Sequence, residues 1–150
     1  MAASHPAEPI IGTWKLDSYV REVLATGQRY NQFGEDPEGY LGYSPDGRMY
    51  AIFVRHDRIT PGDVVPTDEE GVKLLGTMVA YAGRFTLGLG KVTHHIDVSW
   101  NQAWTGTDQV RYFELHGKTL TITTAPYKSY NDGLDGRSIL VWHKVEPTLP

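Results

Sequence analysis

Residues 92–115 read Val92-Thr93-His94-His95-Ile96-Asp97-Val98-Ser99-Trp100, a connecting stretch at 101–108, then Gln109-Val110-Arg111-Tyr112-Phe113-Glu114-Leu115. Val92, His94, Ile96, Val98 and Trp100 share one side of a two-residue period; Thr93, His95, Asp97 and Ser99 share the other. Such alternation is the signature of a half-buried strand, with the apolar set facing the core. The reading places His94 inside and His95 outside. In the second run Gln109, Arg111, Phe113 and Leu115 fall together, against Val110, Tyr112 and Glu114. A short connection makes the two strands antiparallel neighbours. Their inward faces then lie on one side of the sheet, and His94, Gln109 and Arg111 converge.

Working outward, the period recurs. Residues 11–22 place Trp14, Leu16, Ser18 and Val20 on one side and Lys15, Asp17, Tyr19 and Arg21 on the other. This predicts a buried Trp14 above a solvated charged face. Ala25-Thr26-Gly27 reads as a hairpin turn before a return strand at 28–32. Ser44-Pro45-Asp46-Gly47, with Pro second and Gly last, reads as a type I turn between strands at 39–43 and 48–55. Thr67 followed by Glu70 is a capping box. Leu74, Leu75, Met78 and Val79 then recur at helical spacing, predicting one helix over 68–81. Further strands are expected at 84–87, 119–124 and 137–145. The sum is an all-β chain of about nine short strands and one short helix. Such a meander avoids exposed edges by closing into an up-and-down barrel, and eight or so strands leave room for one small ligand.

Bulk composition agrees. The chain has 150 residues, 40% hydrophobic and 21% charged, the usage of one ordered domain. The expected division is a disordered tail at 1–9, the barrel at 10–146 and a tail at 147–150. A net charge of −4 argues against a nucleic-acid partner. No apolar run approaches the ~20 residues that span a bilayer, so no membrane partner is expected. The absence of cysteine removes disulfides and thiol chemistry. The first residues lack the pattern of an export signal, which makes a cytoplasmic location the expectation.

Gly12-Thr13-Trp14-Lys15-Leu16 is similar to the G-x-W signature of lipocalins. Gly39-Tyr40-Leu41, Ser44-Pro45-Asp46-Gly47-Arg48-Met49, Thr93-His94-His95-Ile96, residues 104–115 and Leu140-Val141-Trp142 resemble, in order, the lipocalin-like domain proteins of bacteria and fungi. That resemblance implies a closed barrel around a cavity. The wider lipocalin pattern also places a late arginine on the first-strand tryptophan, for which Arg137 is the candidate. Some related barrels are cofactor-free cyclases or isomerases of natural-product pathways, an analogy of fold rather than of site.

The candidate catalytic residues are His94, Arg111 and Gln109. His94 is either a hydrogen-bonded core histidine or a general acid/base. Arg111 either sits at the rim or, if buried, must meet a carboxylate, carbonyls or an anionic ligand. Trp100, Asn101, Trp104, Tyr40, Tyr50 and Phe113 are the candidate ligand-binding residues, with Tyr43 a further phenol; which of the three tyrosines face inward the sequence leaves open. The aromatics suit stacking on a planar ligand, or plain packing of a loop. The 127–136 loop reads as a lid or a connection. Neither a phosphate loop nor zinc-like spacing is present, so no metal and no cofactor are expected. A haem reading, resting on His94, His143 or His56, stays as the third alternative. The leading expectation is a cofactor-free cyclase or isomerase acting on a hydrophobic, oxygenated or aromatic small molecule. The second is a non-catalytic carrier of such a molecule. Self-association as a homodimer is left open.

Overall fold

The computed structural model describes residues 8–129 and 131–149. Of the expected tails, residues 1–7 and 150 lie outside the described residues. Glu8–Ile10 form a single 3-10 turn. The strands are β1 (Gly12–Val23), β2 (Arg29–Asn31), β3 (Glu38–Tyr43), β4 (Arg48–Val54), β5 (Met78–Gly88), β6 (Lys91–Ser99), β7 (Asp108–His116), β8 (Thr119–Thr124), β9 (Tyr127–Lys128) and β10 (Asp135–Lys144), with helix α1 (Asp68–Gly76) between β4 and β5. The order β1-β3-β4-β5-β6-β7-β8-β10 closes on itself because β1 also pairs with β10. The result is a closed antiparallel eight-stranded barrel, with β2 and β9 as extra strands beside β1 and β10. Closure leaves the eight strands no free edge.

Turn chemistry acts as expected at Ser44–Gly47, where the Gly47 N–H donates to the Ser44 carbonyl at 3.1 Å. Gly47 takes φ 86°, a conformation that glycine adopts at no steric cost.

Two bulges shift the alternation. On β1, Leu16 stands opposite Trp142 but Ser18 opposite Val141, so Asp17 is the extra residue. The expectation of Ser18 and Val20 inside, with Tyr19 and Arg21 outside, is therefore reversed. Tyr19, Arg21 and Val23 are buried, because one inserted residue exchanges the two faces beyond it. On β6, Ala82 pairs with Val98 and Gly83 with Ile96. Val98, expected inside, is 61% exposed for the same reason.

The helix is shorter than its pattern. Thr67 and Glu70 form both bonds of the capping box, but the helix stops at Gly76. Met78 and Val79 belong to β5, opposite Val54 and Phe53. The edge of β4 needs a partner, and the ladder with its buried contacts outweighs weak helical spacing interrupted by Gly71 and Gly76. No residue of α1 is buried. Arg58 ties its last turn down, donating to the Leu74 carbonyl at 3.0 Å and the Thr77 hydroxyl at 3.1 Å.

One end of the barrel is packed solid. Trp14 is fully buried and its indole N–H donates to the Ile10 carbonyl at 2.9 Å. Leu16, Tyr43, Met49, Phe85, Val92 and Leu120 complete this floor. The cation on Trp14 is Lys144, whose Nζ lies 5.2 Å from the ring centroid. Arg137, the expected arginine, instead pairs with Glu22 at 2.7 Å. β10 alternates, so Trp142 points inward and Arg137 outward. Among the described residues no helix is long and apolar enough to cross a membrane.

Candidate functional site

Above that floor lies a cavity of about 300 Å³, at the lower end of the range of small-molecule sites. Its apolar wall includes Phe33, Leu41, Ala51, Phe53 and Val79. Its mouth is formed by Leu75 and Gly76 of α1, by Trp100, Asn101, Ala103 and Trp104, and by Tyr127, Lys128, Ser129 and Asn131. Two charged side chains line it, Arg111 and Lys128, and no aspartate or glutamate does so among the described residues.

His94 enters this cavity from β6, as the alternation requires, and is 1% exposed. Its Nε2 lies 2.7 Å from the Tyr43 hydroxyl and its Nδ1 2.8 Å from the Tyr81 hydroxyl. Burial, reinforced by the nearby Arg111 charge, pushes its pKa well below the usual imidazole value. The ring is thus neutral at neutral pH, and one tyrosine donates to it while the other accepts its N–H. Burial likewise raises the Tyr43 phenol well above its ordinary value, and raises Tyr81 against the lowering influence of Arg111. Tyr81 lines the cavity and Tyr43 does not. If Nδ1 carries the proton, it donates to Tyr81 and leaves the Tyr81 O–H free to reach a ligand. Moving that proton to Nε2 reverses both bonds.

Arg111 is 6% exposed and its guanidinium lies 5.7 Å from the Trp104 ring centroid. It donates to the Val110 carbonyl at 3.3 Å and lies close enough to the Tyr81 phenol to lower that group's pKa. Among the described residues this buried cation has no carboxylate partner, an arrangement that ordinarily marks a missing anion or carbonyl oxygen.

A second polar group faces the same space. Tyr19 OH lies 3.3 Å from Tyr127 OH, which lies 2.6 Å from Ser138 Oγ. The Ser138 N–H donates to Thr124 Oγ1 at 2.9 Å. Arg21, fully buried, holds this group from behind. Its Cζ lies 4.8 Å from the Tyr127 ring centroid, and it donates to the Leu134 carbonyl at 2.6 Å and to Asp132 at 3.3 Å. Tyr30 also donates to Asp132, at 2.6 Å. Gly136 leaves room for this: a Cβ there would lie 2.6 Å from Arg21 Cζ.

Of the expected site residues, His94, Arg111, Trp100, Asn101 and Trp104 line the cavity. The others do not. Gln109 stands opposite His94 in register but folds its amide back onto Thr107, at 2.8 Å. Phe113 faces inward at the floor end, where it packs against the core. Tyr40 and Tyr50 are 45% and 41% exposed, since Leu41 and Ala51 take the inward positions beside them. Tyr50 instead covers Gly42, where a Cβ would lie 2.2 Å from its ring. His95 points outward, bonded to Asp108 at 2.7 Å and Thr86 at 2.8 Å.

The haem candidates offer no free nitrogen to the cavity. Both nitrogens of His94 are taken, and neither His143 nor His56 lines the cavity. No three potential metal ligands come together among the described residues. Sequence reasoning missed Tyr81, assigned to the helix, and the group of Tyr19, Tyr127 and Ser138. The Asp17 bulge hides Tyr19, and nothing in the local sequence marks that bulge.

The model describing the lipocalin-like domain family matches residues 11–145. A curated relative, the 4'-hydroxy-3'-methoxypropiophenone carrier protein of Aspergillus oryzae, is 31% identical over 87 residues, spanning 53% of this chain and 78% of the relative. A solved lipocalin-like protein from Bacteroides uniformis aligns with TM-score 0.49 and 14% identity, covering 91% of this chain and 99% of that one. An uncharacterized protein from Bacteroides eggerthii aligns with TM-score 0.42 and 14% identity, covering 90% and 98%.

Proposed function

The chain belongs to the lipocalin-like domain family, and from that premise we propose that it binds an oxygenated aromatic small molecule inside its barrel, with a carbonyl or anionic oxygen of the ligand on Arg111. The observation that carries this reading is the buried guanidinium in an apolar cavity without a carboxylate. A charge-assisted hydrogen bond in such a site contributes about 1.5–3 kcal/mol. Trp100 and Trp104 at the mouth supply faces for an aromatic ring. The relative that carries a hydroxy-methoxy aryl ketone supports the ligand class.

Carriage is the function this geometry favours, because neither nitrogen of His94 is open to a ligand. A second reading, a cofactor-free cyclase or isomerase, draws on the Tyr43–His94–Tyr81 hydrogen bonds. In it Tyr81, whose O–H is left unbonded when His94 Nδ1 carries the proton, lends that proton to a ligand oxygen and takes it back later in the cycle, while His94 holds the phenol in place. The barrel would hold the substrate in its reactive shape.

The test is titration with 4'-hydroxy-3'-methoxypropiophenone, followed by quenching of tryptophan fluorescence. Arg111→Ala should weaken binding about 10-fold or more, and the outward His95→Ala should change it less than about 2-fold. Equal losses in both variants, or no binding by the wild type, would sink the proposal. Incubating the same ketone in heavy water separates the two readings. Protein-dependent deuterium at the carbon beside the carbonyl, lost in Tyr81→Phe, means proton transfer; exchange at the background rate means carriage.

A further inference from the structure

The cavity has a second polar pole that the proposal above does not use. Tyr19, Tyr127 and Ser138 form a chain of three hydroxyls joined by two contacts. Two hydrogen bonds consume two of the three O–H protons, so one donor remains over. Thr124 Oγ1 accepts from Ser138 N–H, and its own proton has no partner among the described residues. All four side chains line the cavity. Tyr127 is held by Arg21 against its face and by Trp104 in edge contact, with centroids 6.1 Å apart. Such fixed donors lose little freedom when a ligand binds.

The pole lies a fixed step from Arg111. Arg111 on β7 stands opposite Thr124 on β8, and Thr124 is bonded to Ser138 on β10. Two interstrand steps place the backbones of Arg111 and Ser138 roughly 10 Å apart along the wall. That is the scale of one substituted benzene ring with a hydrogen bond at each end. The excess is of donors throughout: the guanidinium, the spare hydroxyl protons, and the indole N–H of Trp142, buried in the lining without a partner. A donor-rich wall calls for an acceptor-rich ligand.

We infer that the ligand is an aromatic molecule oxygenated at both ends, one oxygen on Arg111 and the other on the hydroxyl group of Tyr19, Tyr127 and Ser138. This rests on the ligand-binding reading above and adds the second end.

Three probes and two variants test it. Propiophenone carries only the ketone, 4-propylphenol only the hydroxyl, and 4'-hydroxypropiophenone both. Wild type should bind the two-oxygen probe about 3- to 10-fold tighter than propiophenone, as one added neutral hydrogen bond predicts, and about 10-fold or more tighter than 4-propylphenol, which lacks the oxygen for Arg111. The double variant Tyr127→Phe, Ser138→Ala should erase that advantage over one single-oxygen probe, and Arg111→Ala over the other. Both replacements at the hydroxyl pole are conservative, and Ser138→Ala keeps the backbone bond to Thr124. Equal wild-type affinity for the three probes, or an advantage that survives in the double variant, overturns the two-ended ligand while leaving an Arg111 site intact. Failure of the wild type to bind any probe overturns both readings together.

Discussion

At the closed end of the barrel Trp14 is fully buried, its indole N–H bonded to Ile10 and Lys144 lying over its ring. At the open end Arg111 is 6% exposed and holds one weak bond to a carbonyl. The two residues are nearly equal in burial and opposite in satisfaction. A packed end whose central tryptophan is paired is built for stability. An end that buries unpaired donors gives stability up, and proteins carry such groups where they bind something. If this contrast is real, substitutions at the two ends should differ in sign as well as size.

The largest effect belongs to the floor. Trp14→Ala removes the largest side chain there, and deletions of this kind cost about 3–5 kcal/mol. A urea titration should show that loss. A variant within 1 kcal/mol of wild type would mean that the floor collapses around the gap and is not the rigid base assumed here.

The next effect belongs to the rim, where Arg21 clamps Tyr127, Asp132 and Leu134 to β1. Burial alone would raise the Asp132 carboxyl, but hydrogen bonds from Tyr30, the Leu134 N–H and Arg21 outweigh it and hold the pKa below the usual aspartate value. A lowered folded pKa means the clamp stabilises fully above the ordinary aspartate value. That contribution is lost as pH falls through the lower folded one. Asp132→Asn should destabilise by about 2 kcal/mol at neutral pH, the size of a charge-assisted hydrogen bond. Hydrogen exchange between pH 7 and 3 should loosen 127–136 before the strands of the floor. Simultaneous loss of protection at both ends would show that the barrel melts as one unit.

The same contrast explains what could be read from the sequence. The floor was legible because Trp14 and Leu16 precede any bulge and keep strict alternation. His94 and Arg111 were legible because β6 and β7 stay in register from Lys91 to His95. Tyr19 and Arg21 were not, because the inserted Asp17 exchanges faces without any local signal. Tyr81 was hidden by a helical spacing that strand pairing overrides. The directions of Tyr40, Tyr43 and Tyr50 were open because a tyrosine is content on either face; the structure turns Tyr43 inward onto His94 and leaves Tyr40 and Tyr50 largely exposed. Arg137 was chosen by analogy, whereas β10 brings Lys144 to the tryptophan. The residues that make one end a site were thus set mostly by irregularities and long-range register, which periodicity does not encode.

The smallest effect tests the contrast most sharply, because its sign is opposite. Arg111→Met keeps much of the side-chain volume and removes a desolvated charge. Replacing buried charged groups by apolar ones of similar volume is often neutral or stabilising. Opposing this are the contact with the Trp104 ring and the 3.3 Å bond to Val110, each modest beside the desolvation of a guanidinium. The ligand-free variant should therefore be about 0.5–1 kcal/mol more stable in urea, while its affinity for a two-oxygen aryl ketone falls. Added ligand should then stabilise wild type more than the variant, since a ligand at free concentration L stabilises by RT ln(1 + L/Kd), which is larger for the tighter binder. A loss of stability above 1 kcal/mol in the ligand-free variant would mean that the guanidinium is anchored by the protein itself. The open end would then be as well satisfied as the floor, and the buried cation would no longer argue for a bound oxygen.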